Sequence, residues 1–217
     1  MTCVLPLRAA DSGLRMLHTL GAAMALSGWL LVVAACCLPA WKVAAVGAAR
    51  PGWTGLWASC VEQSGGRMRC QRLDSVLALP RDLQAARGLT LLSLVTGLCG
   101  AGVSVLGGRC VRCVENERSR AQARVLAGSF FAVSGCLCLV SVSWSAYATV
   151  AGAGADPLTA EARSYALGAA LFMGWAAAAL LLAGGGLLCV KCPPRREHAA
   201  GVVTFTPVSS TTSKEGV

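Results

Sequence analysis

Trp53-Thr-Gly55-Leu56-Trp57-Ala-Ser-Cys60-Val-Glu62-Gln-Ser64-Gly65-Gly66-Arg67-Met-Arg69-Cys70 is the stretch on which the fold turns. Its two cysteines are the only ones between Trp41 and Arg87. Midway between them, Ser64-Gly65-Gly66 supplies turn chemistry, so the flanking residues can pair antiparallel with the cysteines facing each other across two strands. A bridge there closes about ten residues and contributes about 2–3 kcal/mol. That matters because so small a loop buries too little apolar surface to be stable alone. The spacing predicts a disulfide between Cys60 and Cys70, with two free thiols in a cytosolic loop as the alternative. A disulfide persists in an oxidising space, which puts this loop outside the cell.

Outward from the hairpin, the chain is apolar. Of 217 residues, 55% are hydrophobic and 13% charged, and the mean hydropathy is +0.62. Charge-free runs extend over Met16–Trp41, Gly88–Gly108, Val125–Ala155 and Ser164–Val190. Each reaches the roughly 20 residues that a helix needs to cross ~30 Å of hydrocarbon. The fold class expected is therefore membrane α-helical, with four transmembrane helices. This divides the chain into a cytosolic lead (1–15), spans at 16–38, 88–108, 125–147 and 164–190, extracellular loops at 39–87 and 148–163, a cytosolic turn (109–124) and a polar tail (191–217). Four spans place both termini on one side. Positive-inside bias agrees weakly, with eleven of the nineteen Lys and Arg on the terminal side. Val33-Ala34-Ala35-Cys36 imitates a lipoprotein cleavage box, but cleavage there would discard the first span, so it reads as ordinary span sequence.

The net charge of +9 is dispersed between the spans, where no continuous basic face can form, and nucleic acid is not expected as a partner. Two histidines and ten acidic residues leave few groups for acid–base or metal chemistry. The reading is a non-enzymatic protein without a metal site or other cofactor; His18 and His198 stand isolated and carry no functional claim. Two CxxC pairs, Cys110/Cys113 and Cys189/Cys192, end the second and fourth spans. Four thiolates suit zinc, and a CxxC suits thiol redox chemistry, but these pairs sit at separate span ends facing a reducing compartment. Juxtamembrane cysteines beside Arg109, Arg112 and Lys191 are suited instead to S-palmitoylation, with membrane lipid as partner; plain reduced thiols are the other reading. In the second span Ser93, Gly97 and Ala101, with Gly100, Ser104 and Gly108, predict close helix packing. The tail from Pro193 is Ser/Thr-rich without periodicity and is expected to be disordered.

Trp41, then Gly55-Leu56-Trp57, then Cys60 and Cys70 resembles the first-loop signature of the claudins, the four-span proteins of tight junctions. Further along, Leu73-Asp-Ser-Val-Leu-Ala-Leu-Pro80 and Leu83-Gln-Ala-Ala-Arg87 resemble the family's run into its second span. Cys110-Val-Arg-Cys113 resembles its cytosolic turn, and Leu167 to Trp175 with Gly184 to Cys189 its fourth span. The similarity covers about residues 16–192. It implies a left-handed four-helix bundle bearing a small antiparallel extracellular β-sheet built mainly from the first loop. Leu56 and Trp57 then become apolar anchors that seat the sheet on the helix ends, at the depth that suits indole. Acylation of the four CxxC cysteines is implied as well.

The function implied is structural: copies assemble side by side in cis and meet copies on the opposing cell in trans, sealing or tuning the paracellular path. An auxiliary subunit of an ion channel or receptor, sharing the four spans and the GLW and cysteine pattern, is the second reading, and a thiol oxidoreductase the third. Relatives that form pores line them with residues near the paired cysteines, where this chain offers Glu62, Arg67, Arg69 and Arg72. That balance predicts a cation barrier or a weak anion preference. Claudins also end in an aromatic and a valine taken by PDZ domains; here Glu215-Gly216-Val217 keeps the valine and replaces the aromatic by Gly216. Two more departures touch assembly: a short segment between Trp41 and Trp53, and Gly154-Ala155 where adhesive members show aromatics.

Overall fold

A computed structural model of the chain describes residues 5–44, 52–63, 66–73, 81–110, 117–154 and 165–190. Its helices are α1 (Leu5–Cys37), α2 (Arg81–Cys110), α3 (Glu117–Gly154) and α4 (Ala169–Cys189). All four are long and apolar enough to cross a membrane. The helices outrun the apolar runs because hydrogen bonding inside a helix continues past the bilayer edge. α2 begins at Arg81, seven positions before the charge-free run, with Asp82 in its first turn, where the helix dipole favours an acid. At 38 residues, α3 is about 57 Å long and projects from both faces of a 30 Å hydrocarbon layer.

α4 packs between α1 and α3, α2 packs along α3, and α1 and α2 touch only lightly. Small residues permit the close approaches. A Cβ on Gly184 would lie 2.5 Å from the backbone nitrogen of Ala25, and one on Gly185 2.8 Å from the carbonyl of Gly128, so the α1–α4 and α3–α4 crossings are backbone to backbone. The α2–α3 seam is polar. Ser93 and Ser134 each donate a hydroxyl to the other's carbonyl, at 2.8 and 2.7 Å. One helical step away, Ser141 donates to the carbonyl of Ala86 at 3.1 Å, leaving its oxygen to accept from Thr90 at 2.9 Å. In a bilayer each such bond contributes about 0.6 kcal/mol and fixes the register of two helices. Two of the predicted packing residues of the second span lie on this side: Gly97 faces Ser134 and Trp29, and Gly100 faces Phe130 and Phe131.

At one end of the bundle lies an antiparallel sheet of β1 (Lys42–Ala44), β2 (Gly52–Thr54), β3 (Ala58–Gln63), β4 (Arg67–Arg72) and β5 (Tyr165–Leu167), in the order β4-β3-β2-β1-β5. One row crosses every strand: Cys70, Cys60, Trp53, Val43 and Ala166. The turn between β3 and β4 holds Gly66 at φ +75°, a left-handed conformation that glycine adopts without penalty. β5 corrects the expected fourth span. The apolar run from Ser164 predicts helix from its first residue, but Tyr165–Leu167 pairs with β1, and the helix starts at Ala169. An apolar run does not distinguish a short buried strand from the first turn of a helix. The sheet is therefore closed by a strand from beyond α3, in addition to the four from the first loop.

Candidate functional site

The sheet is held on the helix ends by residues drawn from 41–87. Trp41 is 1% exposed; its indole Nε1 donates to the carbonyl of Ala35 at 2.9 Å, stitching β1 to the last turns of α1. Its backbone donates to Thr54 at 3.1 Å and accepts from Gly168 at 2.9 Å, joining both neighbouring strands. Leu56 is fully buried, and its carbonyl accepts from Nε of Arg87 on α2. Gly55 before it packs against Pro39 so closely that a Cβ would come within 2.5 Å of that carbonyl oxygen. Trp57 donates from Nε1 to the carbonyl of Cys36 at 3.0 Å and carries the Arg87 guanidinium over its ring at 5.1 Å. Nη2 of Arg87 is buried with no hydrogen-bond partner among the described residues, so the aromatic face offsets part of its desolvation.

The five signature residues Trp41, Gly55, Leu56, Trp57 and Arg87 thus form one cluster tying β1, the β2–β3 turn and the ends of α1 and α2. Of the expected anchors, Leu56 is buried, whereas Trp57 is 43% exposed; Trp41 is the tryptophan enclosed by the bundle. Gly168 and Ala40 complete the seat and were not legible from the sequence. Gly168 packs so tightly on Ala40 that no Cβ fits there, and Ala170 donates to the Ala40 carbonyl at 3.2 Å.

Cys60 and Cys70 are bonded, directly opposed in the β3–β4 register with Cα atoms 4.0 Å apart. The same register separates the four candidate pore charges. Strand alternation places Glu62 and Arg72 on the face of the disulfide, and Arg67 and Arg69 on the opposite face with Val61 and Gln63. There Arg69 borders a shallow groove of about 350 Å³ lined also by Ser59, Val61 and Gln71. All of β4 is exposed, so its arginines are presented to water at the edge of the sheet. Lys42 on β1 is half-buried; burial pushes its pKa down from the usual lysine range, and the carboxylate of Asp82 opposes that shift in part.

Of the candidate acylation sites, Cys189 lies on α4 with its thiol turned toward the Val125 carbonyl of α3 at 3.8 Å. Cys110 ends α2, while Cys113 and Cys192 lie outside the described residues, as do Glu215, Gly216 and Val217 and the second-loop residues 155–164. His18, read as isolated, is buried: Nε2 contacts the Val190 carbonyl at 3.2 Å and Nδ1 faces Nη1 of Arg124 at 3.5 Å. A histidine inside an otherwise apolar span was the available signal, since such residues are rare in membranes and are usually partnered.

The sequence model of the PMP-22/EMP/MP20/Claudin family matches residues 13–188, from the first span to the end of the fourth. Claudin-3 of Mus musculus is 43% identical over 200 residues, 90% of this chain and 91% of the relative. Claudin-4 of Homo sapiens is 44% identical over 186 residues, covering 83% and 88%. Claudin-3 of Homo sapiens is 42% identical over 201 residues, covering 90% and 91%. With four apolar helices and a sheet stapled by Cys60–Cys70, the chain belongs to the PMP-22/EMP/MP20/Claudin family.

Proposed function

We propose that this chain is a structural component of tight junctions, assembling laterally with like chains and meeting others across the intercellular gap. The observation that carries this reading is the sheet itself, covalently stapled and anchored at Trp41, Leu56 and Arg87. A sheet fixed in this way presents its edges and loops at a defined angle to the bilayer. β4 is an edge strand with every residue exposed, and such an edge can pair or pack with a neighbour. The likeness to claudin-3 over 90% of the chain and to claudin-4 over 83% supports the same function. The orientation follows from the bridge: the sheet faces the oxidising extracellular space and both ends of the bundle's helical path face the cytosol. Membrane lipid contact by acylation is assigned first to Cys110, Cys113 and Cys192, because the Cys189 thiol packs toward α3.

Expression of the full chain in fibroblasts that lack junctions, followed by freeze-fracture microscopy of cell contacts, tests the assembly. Intramembrane strands or enrichment of the protein at contacts are expected. Uniform surface distribution with no strands would overturn the reading and favour an auxiliary subunit.

A further inference from the structure

The β3–β4 hairpin presents a charged face that takes no part in seating the sheet. Arg67 and Arg69 stand on it two positions apart, which sets them about 7 Å from each other along the strand. Their cross-strand partners are Gln63 and Val61, so no carboxylate stands directly opposite either guanidinium. Every residue of β4 is exposed, and Arg67 and Arg69 make no ion pair among the described residues. Beside Arg69 runs the groove of about 350 Å³, where Ser59, Gln63 and Gln71 supply neutral hydrogen-bonding groups and Glu62 is the one acid among the described lining residues. The Cys60–Cys70 bridge holds the two strands in register, so the array is ordered before anything binds to it.

From this face we infer that the hairpin binds a sulfated polysaccharide of the cell surface, with successive sulfate groups on Arg67 and Arg69 and the sugar along the groove. The spacing favours a polymer over a dissolved anion. A single exposed ion pair contributes little in water, whereas a chain of fixed charges engages both arginines at once and releases its condensed counterions. The chemistry favours sulfate. A guanidinium fork matches two oxygens of a tetrahedral oxyanion, and the amides and hydroxyl of the groove suit the hydroxyls of a sugar. The wider field agrees: from Lys42 to Arg87 the loop has seven basic and three acidic residues, which draws a polyanion before contact. Lateral pairing with another copy through the β4 edge uses backbone groups in the plane of the sheet, while these side chains stand out of that plane. The inference rests on the extracellular placement of the sheet in the proposed function and not on strand assembly.

Surface plasmon resonance of the full chain in nonionic detergent over immobilised heparin tests this apart from assembly, since no junction forms there. Saturable binding is expected, displaced by soluble heparin but not by hyaluronan, a carboxylate polymer without sulfate. Arg67→Gln and Arg69→Gln should each weaken it about fivefold. Together they should also flatten the slope of log affinity against log salt by about two. Glu62→Gln should tighten binding, a gain that no misfolded variant would show. Arg72→Gln removes the same charge from the disulfide face and should have little effect. Equal loss with Arg72→Gln would reduce the attraction to overall loop charge and overturn the site. Displacement by hyaluronan as effective as by heparin would remove the sulfate, and polyglutamate acting as well as heparin would replace the polysaccharide by an acidic peptide. No binding by the parent would end the proposal while leaving strands at cell contacts to be judged on their own.

Discussion

The guanidinium of Arg87 lies over the indole of Trp57, 5.1 Å from the ring centroid, while its Nε donates to the carbonyl of Leu56, the residue before that tryptophan. One α2 side chain thus grips two consecutive residues of the β2–β3 turn. Arg87→Ala leaves a buried carbonyl unpaired and bares the ring, at a cost of about 3 kcal/mol. Arg87→Lys restores a cation near the ring but not the planar donor, and should recover about half. Tryptophan fluorescence during thermal unfolding in detergent measures both. Equal midpoints for parent and Arg87→Ala would show that the grip contributes nothing.

The Cys60–Cys70 bridge makes a separate contribution, because it constrains the hairpin and not its seat. Cys60→Ser should free the Cys70 thiol, add one maleimide label after denaturation and destabilise the hairpin by about 2–3 kcal/mol. Surface biotinylation should fall as the loosened loop is retained by quality control. An unchanged label count would mean that the bridge does not form in cells.

Much of this was legible because it is local or compositional. The hairpin could be read from two cysteines ten residues apart with a glycine turn between them, and the spans from charge-free runs. What could not be read depends on pairing across long sequence distances. Nothing near Trp41 shows that its carbonyl accepts from Gly168, and Tyr165-Ala-Leu167 looks like span until β1 is beside it. The helix ends were missed for a related reason: hydropathy marks the bilayer, whereas α2 and α3 continue into water. His18 alone shows no constellation in the sequence; α3 and the end of α4 bring Arg124 and Val190 to it.

Two glycines on α4, Gly184 and Gly186, separate packing from composition. A Cβ on Gly184 would stand 2.5 Å from the nitrogen of Ala25 and 2.6 Å from the carbonyl of Gly21, both backbone atoms, whereas one on Gly186 meets nothing within 4 Å. Gly184→Ala should therefore push α1 from α4 and destabilise the protein by about 1–3 kcal/mol. Gly186→Ala should be neutral or slightly stabilising, since alanine restricts the unfolded chain. Unfolding midpoints that move together would contradict the close α1–α4 crossing.

Lys42 supplies a pH-dependent prediction. Burial lowers its pKa and Asp82 only partly opposes this, so the folded state holds the ammonium less well than the unfolded chain does. That cost is present while the lysine is charged and fades as pH rises through the lowered folded value toward the ordinary lysine range. Lys42→Met should accordingly be more stable than the parent at pH 7, with the gap narrowing at alkaline pH. Thermal unfolding of both proteins from pH 7 to pH 10 measures it. A gap that is constant over this range would assign the effect to packing instead of charge.

The arginines of β4 supply the last prediction, for ion passage. Arg67 and Arg69 share one exposed face of the hairpin, and Arg72 lies on the other with Glu62 and the disulfide. If the exposed face borders the paracellular gap, two fixed guanidinium groups from every copy repel cations within a Debye length of ~8 Å. The opposite face carries one positive group, Arg72, and one negative, Glu62, at opposite ends of the hairpin, so its net charge is zero. Epithelial layers expressing the protein should show dilution potentials shifted toward chloride, or a raised barrier to sodium. Arg69→Glu should reverse that shift more strongly than Arg72→Glu, although the two substitutions change net charge equally. Equal responses would mean that overall loop charge, and not the face that carries it, sets the preference; a sodium preference in the parent would remove the cation barrier itself.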